Sequence, residues 1–335
     1  MTATPRFCAA VVLFALSAFS AGAQDKPTLN VYTYDSFATE WGPGPALKTG
    51  FEKQCGCTVQ YTAAEDAISM LRRVQLEGAT TEADVLVGLD TSIAGEARAT
   101  GLFAPHGVAL ENLSLPAPWT DADFVPFDVG YFAFVYDRDR TATPPDSFEA
   151  LIRQPESFKI AIQDPRSSTP GLGLLLWIKA AYGERAPEIW AGLKPHIVTM
   201  TRGWSEAYGL FLSGEADMAL SYTSSPFYHA IGENDGSIAA ATFTEGHYPQ
   251  IEVAGLIAGS DQRELGQQFL RYLTSQDAQT VLPTTNWMYP VIDIGTALPP
   301  AFTEAPAPAE VLGISEVEVT NNSGDWIAEA LAAIE

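Results

Sequence analysis

Tyr222, Thr223, Ser224 and Ser225 close an apolar run of strand length in the stretch Gly203–Tyr228 (GWSEAYGLFLSGEADMALSYTSSPFY), and Pro226 follows them. Ser225-Pro226 reads as an N-cap and first-turn pair opening a helix. In open α/β sheets ligands sit past the carboxyl ends of strands, where free helix N–H groups favour anions. The pattern recurs twice. Phe158–Gln163 reads as a strand whose polar turn brings Ser168 and Thr169 to the start of a helix Gly171–Tyr182. Asp66 follows the strand Thr58–Thr62 and N-caps a helix Ala67–Glu77, with a spare carboxylate oxygen for a ligand amine or hydroxyl. One such unit is ordinary packing; its recurrence points to a site.

Aromatic residues fall at strand ends and in loops: Tyr34, Trp41, Trp204, Tyr222, Tyr228, Trp287 and Tyr289. Singly, each is more often core than contact. Gathered in one cleft they would form a stacking and cation–π enclosure for a flat cationic ring, with the hydroxyls and helix starts suited to phosphate. Catalytic signals are weak. The histidines (106, 196, 229 and 247) are scattered without an HExxH pattern, and His229 reads as an exposed helix-start residue. Gly203-Trp204-Ser205-Glu206-Ala207 lacks the last glycine of a nucleophile elbow, and Gly171-Leu172-Gly173 lacks the third glycine of a dinucleotide fingerprint. There is no phosphate-binding GxxxxGK[ST] loop and no acid/base pair of carboxylates. No catalytic residue and no metal ligand is assigned.

The elements that must carry these residues alternate as strand and helix. Leu29–Tyr34, Thr58–Thr62 and Ala83–Gly88 are strands separated by helices, which argues for a parallel sheet and an α/β fold. Val125–Asp137 and Tyr248–Ile257 are long, extended and apolar, and read as two crossings between lobes with hinges near Gly130 and Val253. The resulting division is a first lobe over 24–129, a second over 130–252, a return to the first over 253–292, and a C-terminal segment 293–335 packing on the second lobe. A final helix is expected near Asp325–Ile334.

Residues 1–23 read as a cleaved secretory signal: Arg6 is the only charge, Cys8–Phe19 is mostly apolar, and Ala21-Gly22-Ala23 matches the cleavage pattern. The mature chain then has 312 residues, long enough for two lobes, with 17 basic against 41 acidic residues, a net charge of −24. That charge disfavours nucleic acid and anionic lipid as partners and mildly attracts a cationic solute. Cys55 and Cys57 remain, as CGC with no His or further Cys nearby. In an oxidising compartment this pair reads as a local disulfide rather than a metal site, free thiols being the other reading.

Four stretches, VYTYDSFATEWGPGP, QDPRSSTPGLGLLLW, GWSEAYGLFLSGEADMALSYTSSP and TTNWMYPV, together with the CGC pair, resemble the periplasmic thiamine-binding proteins of ABC importers, within the family 1 extracellular solute-binding proteins. The resemblance covers about Leu29 to Val291. It implies a two-lobed Venus-flytrap fold of type II, with the ligand in the cleft between lobes. It implies periplasmic location, a membrane permease as partner, and thiamine with its mono- and diphosphate as transported ligands rather than cofactors. Matched motif by motif, the ligand set is Tyr34, Trp41, Asp66, Ala67, Ser168, Thr169, Trp204, Tyr222, Thr223, Ser224, Ser225, Pro226, Tyr228 and Trp287. Position 67 is Ala where the motif leads one to expect Gly. Trp204, Tyr222 and Trp287 are expected to serve every form of the vitamin, and Ser168 and Thr169 its phosphate end. The alternatives are a receptor of the same fold for ferric ion or a polyamine, or an exported hydrolase of phosphorylated thiamine. The hydrolase needs a nucleophile–base pair or metal cluster that the sequence does not supply.

Overall fold

The computed structural model describes residues 1–2, 26–304, 308 and 310–335; the expected signal segment otherwise lies outside the described residues. The strands are β1 (Thr28–Tyr34), β2 (Thr58–Ala64), β3 (Val85–Asp90), β4 (Phe103–Ala104), β5 (Phe124–Asp137), β6 (Ile160–Gln163), β7 (Ile197–Thr201), β8 (Met218–Tyr222), β9 (Ile238–Ala240), β10 (Pro249–Ile257) and β11 (Tyr289–Pro290). They join in the order β2-β1-β3-β10-β5-β8-β6-β7, with β4 beside β10 and β9 and β11 beside β5.

β5 is the strand both lobes share. Its first part, Phe124–Tyr131, pairs with β10, and its second part, Phe132–Tyr136, pairs with β8. β1 runs parallel to β2 and β3 in the first lobe, and β6 runs parallel to β7 and β8 in the second. Parallel strands need helical crossovers, which cover both sheet faces and account for the continuous apolar runs. Gly130 sits at the change of lobe: an added Cβ would lie 2.4 Å from Met288 Cε and 2.9 Å from the Tyr222 ring.

The second crossing differs from expectation. Pro249–Gly255 of β10 is already paired with β5 of the first lobe, and Val253 is fully buried between β3 and β5. The chain changes lobes before Pro249, near His247, not at Val253. A long apolar run does not reveal which part of it is paired with which neighbour.

The first lobe has a core of its own, and a second core runs through both lobes, with Leu71 and Leu86 of the first in one cluster with Phe134 and Trp177 of the second. Leu29, Val31, Phe51, Phe127 and Phe269 pack together in the first. Phe134, Phe148 and Trp177 pack in the second, with the Trp177 indole N–H donating to the Gly246 carbonyl at 2.9 Å. Each such fully buried side chain contributes roughly 1.5–3 kcal/mol of transfer free energy. Cys55 and Cys57 are joined, with Cα atoms 5.1 Å apart and Gly56 between them in the left-handed region at φ +64°. The last helix is Glu316–Ile334, nine residues longer at its start than expected. Ser315 caps it, accepting from the Glu318 N–H at 3.3 Å. It lies against helices Ala186–Leu193 and Thr169–Tyr182 of the second lobe and Ala94–Ala99 of the first.

Candidate functional site

A cavity of about 460 Å³ lies between the lobes. Tyr34, Trp41, Gln250, Glu252, Trp287 and Met288 wall it from the first lobe; Thr169, Trp204, Tyr208, Leu212, Tyr222 and Tyr228 do so from the second. Its rings are held by packing and hydrogen bonds. Trp204, in the first turn of helix Trp204–Leu212, stacks on Tyr208 at 4.7 Å and 26°. Its indole N–H donates to Ser221 Oγ at 2.9 Å, and Ser221 Oγ lies 2.7 Å from Ser225 Oγ. Tyr222 stacks on Phe132 at 5.3 Å, and Tyr228 meets Trp287 edge-on at 5.5 Å. Trp287 holds its ring there from a left-handed backbone, φ +58°. A bulky residue in that region is strained, and such strain collects at ligand clamps.

Asp66 ties the lobes together. Its Oδ1 accepts from its own helix's Ala67 N–H at 2.7 Å and from the Thr169 N–H of the opposite lobe at 3.1 Å. Its Oδ2 accepts from the Ser168 hydroxyl at 2.8 Å. One carboxylate therefore caps two helix N-termini, where negative charge is favoured. Burial pushes its pKa up to about 6, against the lowering by these three donors. Further cross-cleft bonds join Ser205 to Asp35 at 3.2 Å and Arg202 to Glu65 at 3.0 Å. An added Cβ on Gly203 would lie 2.7 Å from the Glu65 carbonyl oxygen, so glycine permits this approach.

Of the expected ligand set, Tyr34, Trp41, Asp66, Thr169, Trp204, Tyr222, Ser225, Tyr228 and Trp287 line the cavity. Ala67, Ser168, Thr223, Ser224 and Pro226 are not among its lining residues. The N-cap of helix Thr169–Tyr182 is Ser168 by position, and Asp66 supplies the capping oxygen. Helical structure opens at Pro226, as expected, and runs on as a π-helix over Tyr228–Glu233, but the Ser225 hydroxyl does not cap it: it accepts from the Tyr222 N–H at 3.1 Å. Tyr289 packs against Phe302 at 5.1 Å and Tyr131 at 6.3 Å, away from the cavity.

His229 is buried at 2% exposure, not exposed. Its Nε2 meets the Tyr208 hydroxyl at 2.8 Å and its Nδ1 meets Glu233 at 2.7 Å, so both ring nitrogens are engaged. Sequence reading also passes over Gln250, Glu252 and Asn286 in the cavity wall, and Asp128, to which Asn286 is bonded. Tyr34 donates to Glu252 Oε2 at 2.9 Å, Tyr222 to Gln250 Oε1 at 2.8 Å and Asn286 to Asp128 Oδ2 at 2.6 Å. The available signal is a lone acid in each of two apolar strands, VPFDVGYF and YPQIEVAGLI.

The match to the bacterial extracellular solute-binding proteins runs over residues 32–280. The chain is 48% identical to the thiamine-binding periplasmic protein of Escherichia coli (strain K12) over 309 residues, 92% of this chain and 94% of that one. It superimposes on a solved periplasmic thiamin binding protein with a TM-score of 0.90 at 48% identity, covering 92% of this chain and 97% of the other. A ferric binding protein from Campylobacter jejuni shares the fold, with a TM-score of 0.73 at 18% identity over 91% of this chain and 99% of that one. Two lobes joined through shared strands, with a cleft between them, are the type II periplasmic binding-protein fold, and the chain belongs to the bacterial extracellular solute-binding protein family.

Proposed function

We propose that this chain is the periplasmic receptor of an ABC importer, binding thiamine between its lobes and releasing it to the membrane permease. The observation that carries the reading is the composition of the cleft. Trp41, Trp204, Tyr222, Tyr228 and Trp287 supply aromatic surface, Asp35, Glu65, Asp66 and Glu252 supply carboxyl groups, and no Lys, Arg or His is among the described lining residues. A flat ring bearing a permanent positive charge suits such a site, because aromatic faces and carboxylates both attract it. The 48% identity to a protein named for thiamine supports the same ligand.

The rings stack on the ligand from both sides, and the cross-cleft bonds of Asp66, Asp35 and Glu65 favour the closed arrangement, so binding energy is spent on closure. Release follows when those bonds are exchanged for water. Thiamine mono- and diphosphate belong to the same reading. Their phosphate would reach the helix starts at Ala67 and Thr169 in exchange for the Asp66 carboxylate. The reading is of transport without turnover, the buried His229 being committed to Tyr208 and Glu233.

Calorimetric titration of the mature chain tests it. One thiamine bound per chain, with thiamine diphosphate recovered unhydrolysed after incubation, is the expected result. Absence of thiamine binding would overturn the ligand, and release of phosphate would overturn the non-enzymatic reading.

A further inference from the structure

Three carboxyl groups stand in a row across the middle of the sheet. Glu252 on β10 is in register with Asp90 on β3 and with Asp128 on β5. Directly opposed residues of antiparallel strands share a face. All are buried, at 2% for Asp90, 0% for Asp128 and 6% for Glu252. Asp90 is accounted for by the turn it starts, accepting from the Ser92 N–H at 2.9 Å and from the Ser92 hydroxyl. Of the three, only Glu252 reaches the cavity wall.

The groups facing Glu252 and Asp128 are neutral or acidic. Tyr34 comes from β1, Asp90 from β3, Tyr222 from β8 and Gln250 from β10 itself; Asn286 comes from the loop before β11. Gln250 Nε2 donates to Glu252 Oε1 at 3.3 Å, and the Asn286 amide is shared between Glu252 and Asp128. Asp128 Oδ1 has no hydrogen-bond partner among the described residues. Two buried carboxylates side by side without a cation would cost several kcal/mol, which favours one proton shared by the pair. Burial raises both: Asp128 is pushed up to about 7, and Glu252, with the Asp128 charge adding to burial, well above the carboxylate range.

We infer that Glu252, backed by Asp128, is the counter-charge for the permanently cationic part of the ligand, and that binding this cation drives the shared proton off the pair into solvent. The inference rests on the proposed function and adds to it the residue that selects for positive charge. The balance is simple. One carboxyl O–H bond breaks and its proton passes to buffer, while the pair goes from one negative charge to two. The ligand's single positive charge restores the net charge of the pocket. A quaternary ring nitrogen has no N–H to donate, so the contact is one of charge, and Tyr34, Gln250 and Asn286 go on holding the carboxylates in place.

Calorimetry of thiamine binding at pH 7, in two buffers of different protonation enthalpy, reads the proton directly. The wild-type chain should release roughly half to one proton per thiamine bound. Glu252→Gln should abolish that release and weaken binding by about ten-fold or more. Asp128→Asn, which keeps the shape beside Asn286, removes the Asp128 charge but not the burial of Glu252; it should lower the release measurably, and decides the matter if the Glu252 variant does not fold. Binding of thiamine with the same proton count in wild type and in either folded variant overturns the inference while leaving thiamine as the ligand. No binding of thiamine by the wild-type chain overturns both.

Discussion

Asp66 of the first lobe accepts the Ser168 hydroxyl of the second at 2.8 Å, so the two lobes meet through a side chain that caps a helix not its own. The same carboxylate takes the Thr169 N–H at 3.1 Å. A phosphate at this helix start would compete with Asp66, and the hydroxyl of Ser168 points to the carboxylate rather than to the cavity.

This geometry points to a role for Ser168 in closure, an alternative to the phosphate contact expected of it. Ser168→Ala should cost thiamine and thiamine diphosphate alike, because it loosens closure common to both. The charge-assisted bond is worth about 1.5–3 kcal/mol, of which the affinity loses the part expressed only in the closed state. Asp66→Ala should leave the ligand-bound protein with a larger radius of gyration by small-angle scattering. A loss confined to the diphosphate would return Ser168 to the phosphate site.

Trp204 is steadied at one remove. It stacks on Tyr208, whose hydroxyl meets His229 Nε2 at 2.8 Å, and Glu233 holds the other ring nitrogen at 2.7 Å. His229→Phe leaves the buried Tyr208 hydroxyl unpaired, costing about 1–3 kcal/mol of stability and lowering thiamine affinity although residue 229 does not line the cavity. Adding Tyr208→Phe removes both partners and should recover much of the stability. Thermal melts and titrations of the two single variants and the double variant check this; simple additivity in the double would sink it.

Stability of the ligand-free chain should depend on pH in a defined direction. Burial raises Asp128 to about 7 and Asp66 and Asp90 to about 6. Each folded carboxyl binds its proton more tightly than the unfolded one, so its contribution is full below the unfolded value and is lost as pH rises through 6 to 7. From pH 5 to pH 8 the wild type should therefore lose more thermal stability than Asp128→Asn, by about 2 °C or more. Parallel pH profiles for the two proteins would contradict the shift.

The same three acids show how far the sequence could be read. Strand β8 and the helices Ala67–Glu77 and Arg263–Leu273 carry their limits in local chemistry, an apolar run or a capping residue, and are legible to the residue. The aromatic cleft is legible because its rings stand at strand ends. Glu252 is not, since its meaning comes from a register that sets it beside Asp128, far away in the chain. Asp66 and Ser168 are each legible as helix starts, but their meeting depends on how the lobes close. The last helix begins nine residues before its expected start, at Glu316, where the Ser315 cap and packing against both lobes support it.

Trp287 places stability and binding in opposition. Its φ of +58° costs an L-residue roughly 1–2 kcal/mol, a cost glycine does not bear. Its ring nonetheless stands edge-on to Tyr228 at 5.5 Å in the cavity wall. Truncation to Ala and truncation to Gly remove the same ring, so both should weaken thiamine equally, by about 0.5–2 kcal/mol if the ring acts by stacking or cation–π contact. They differ in the backbone: Trp287→Gly relieves the strain and Trp287→Ala keeps it. The Gly variant should therefore be the more stable of the two by about 1 kcal/mol in chemical denaturation, the greater flexibility of its unfolded chain offsetting part of the relief. An Ala variant as stable as the Gly variant would mean that the loop relaxes out of the left-handed region once the ring is gone. In that case the strain is held in place by the ring's contacts in the cleft, and vanishes with them.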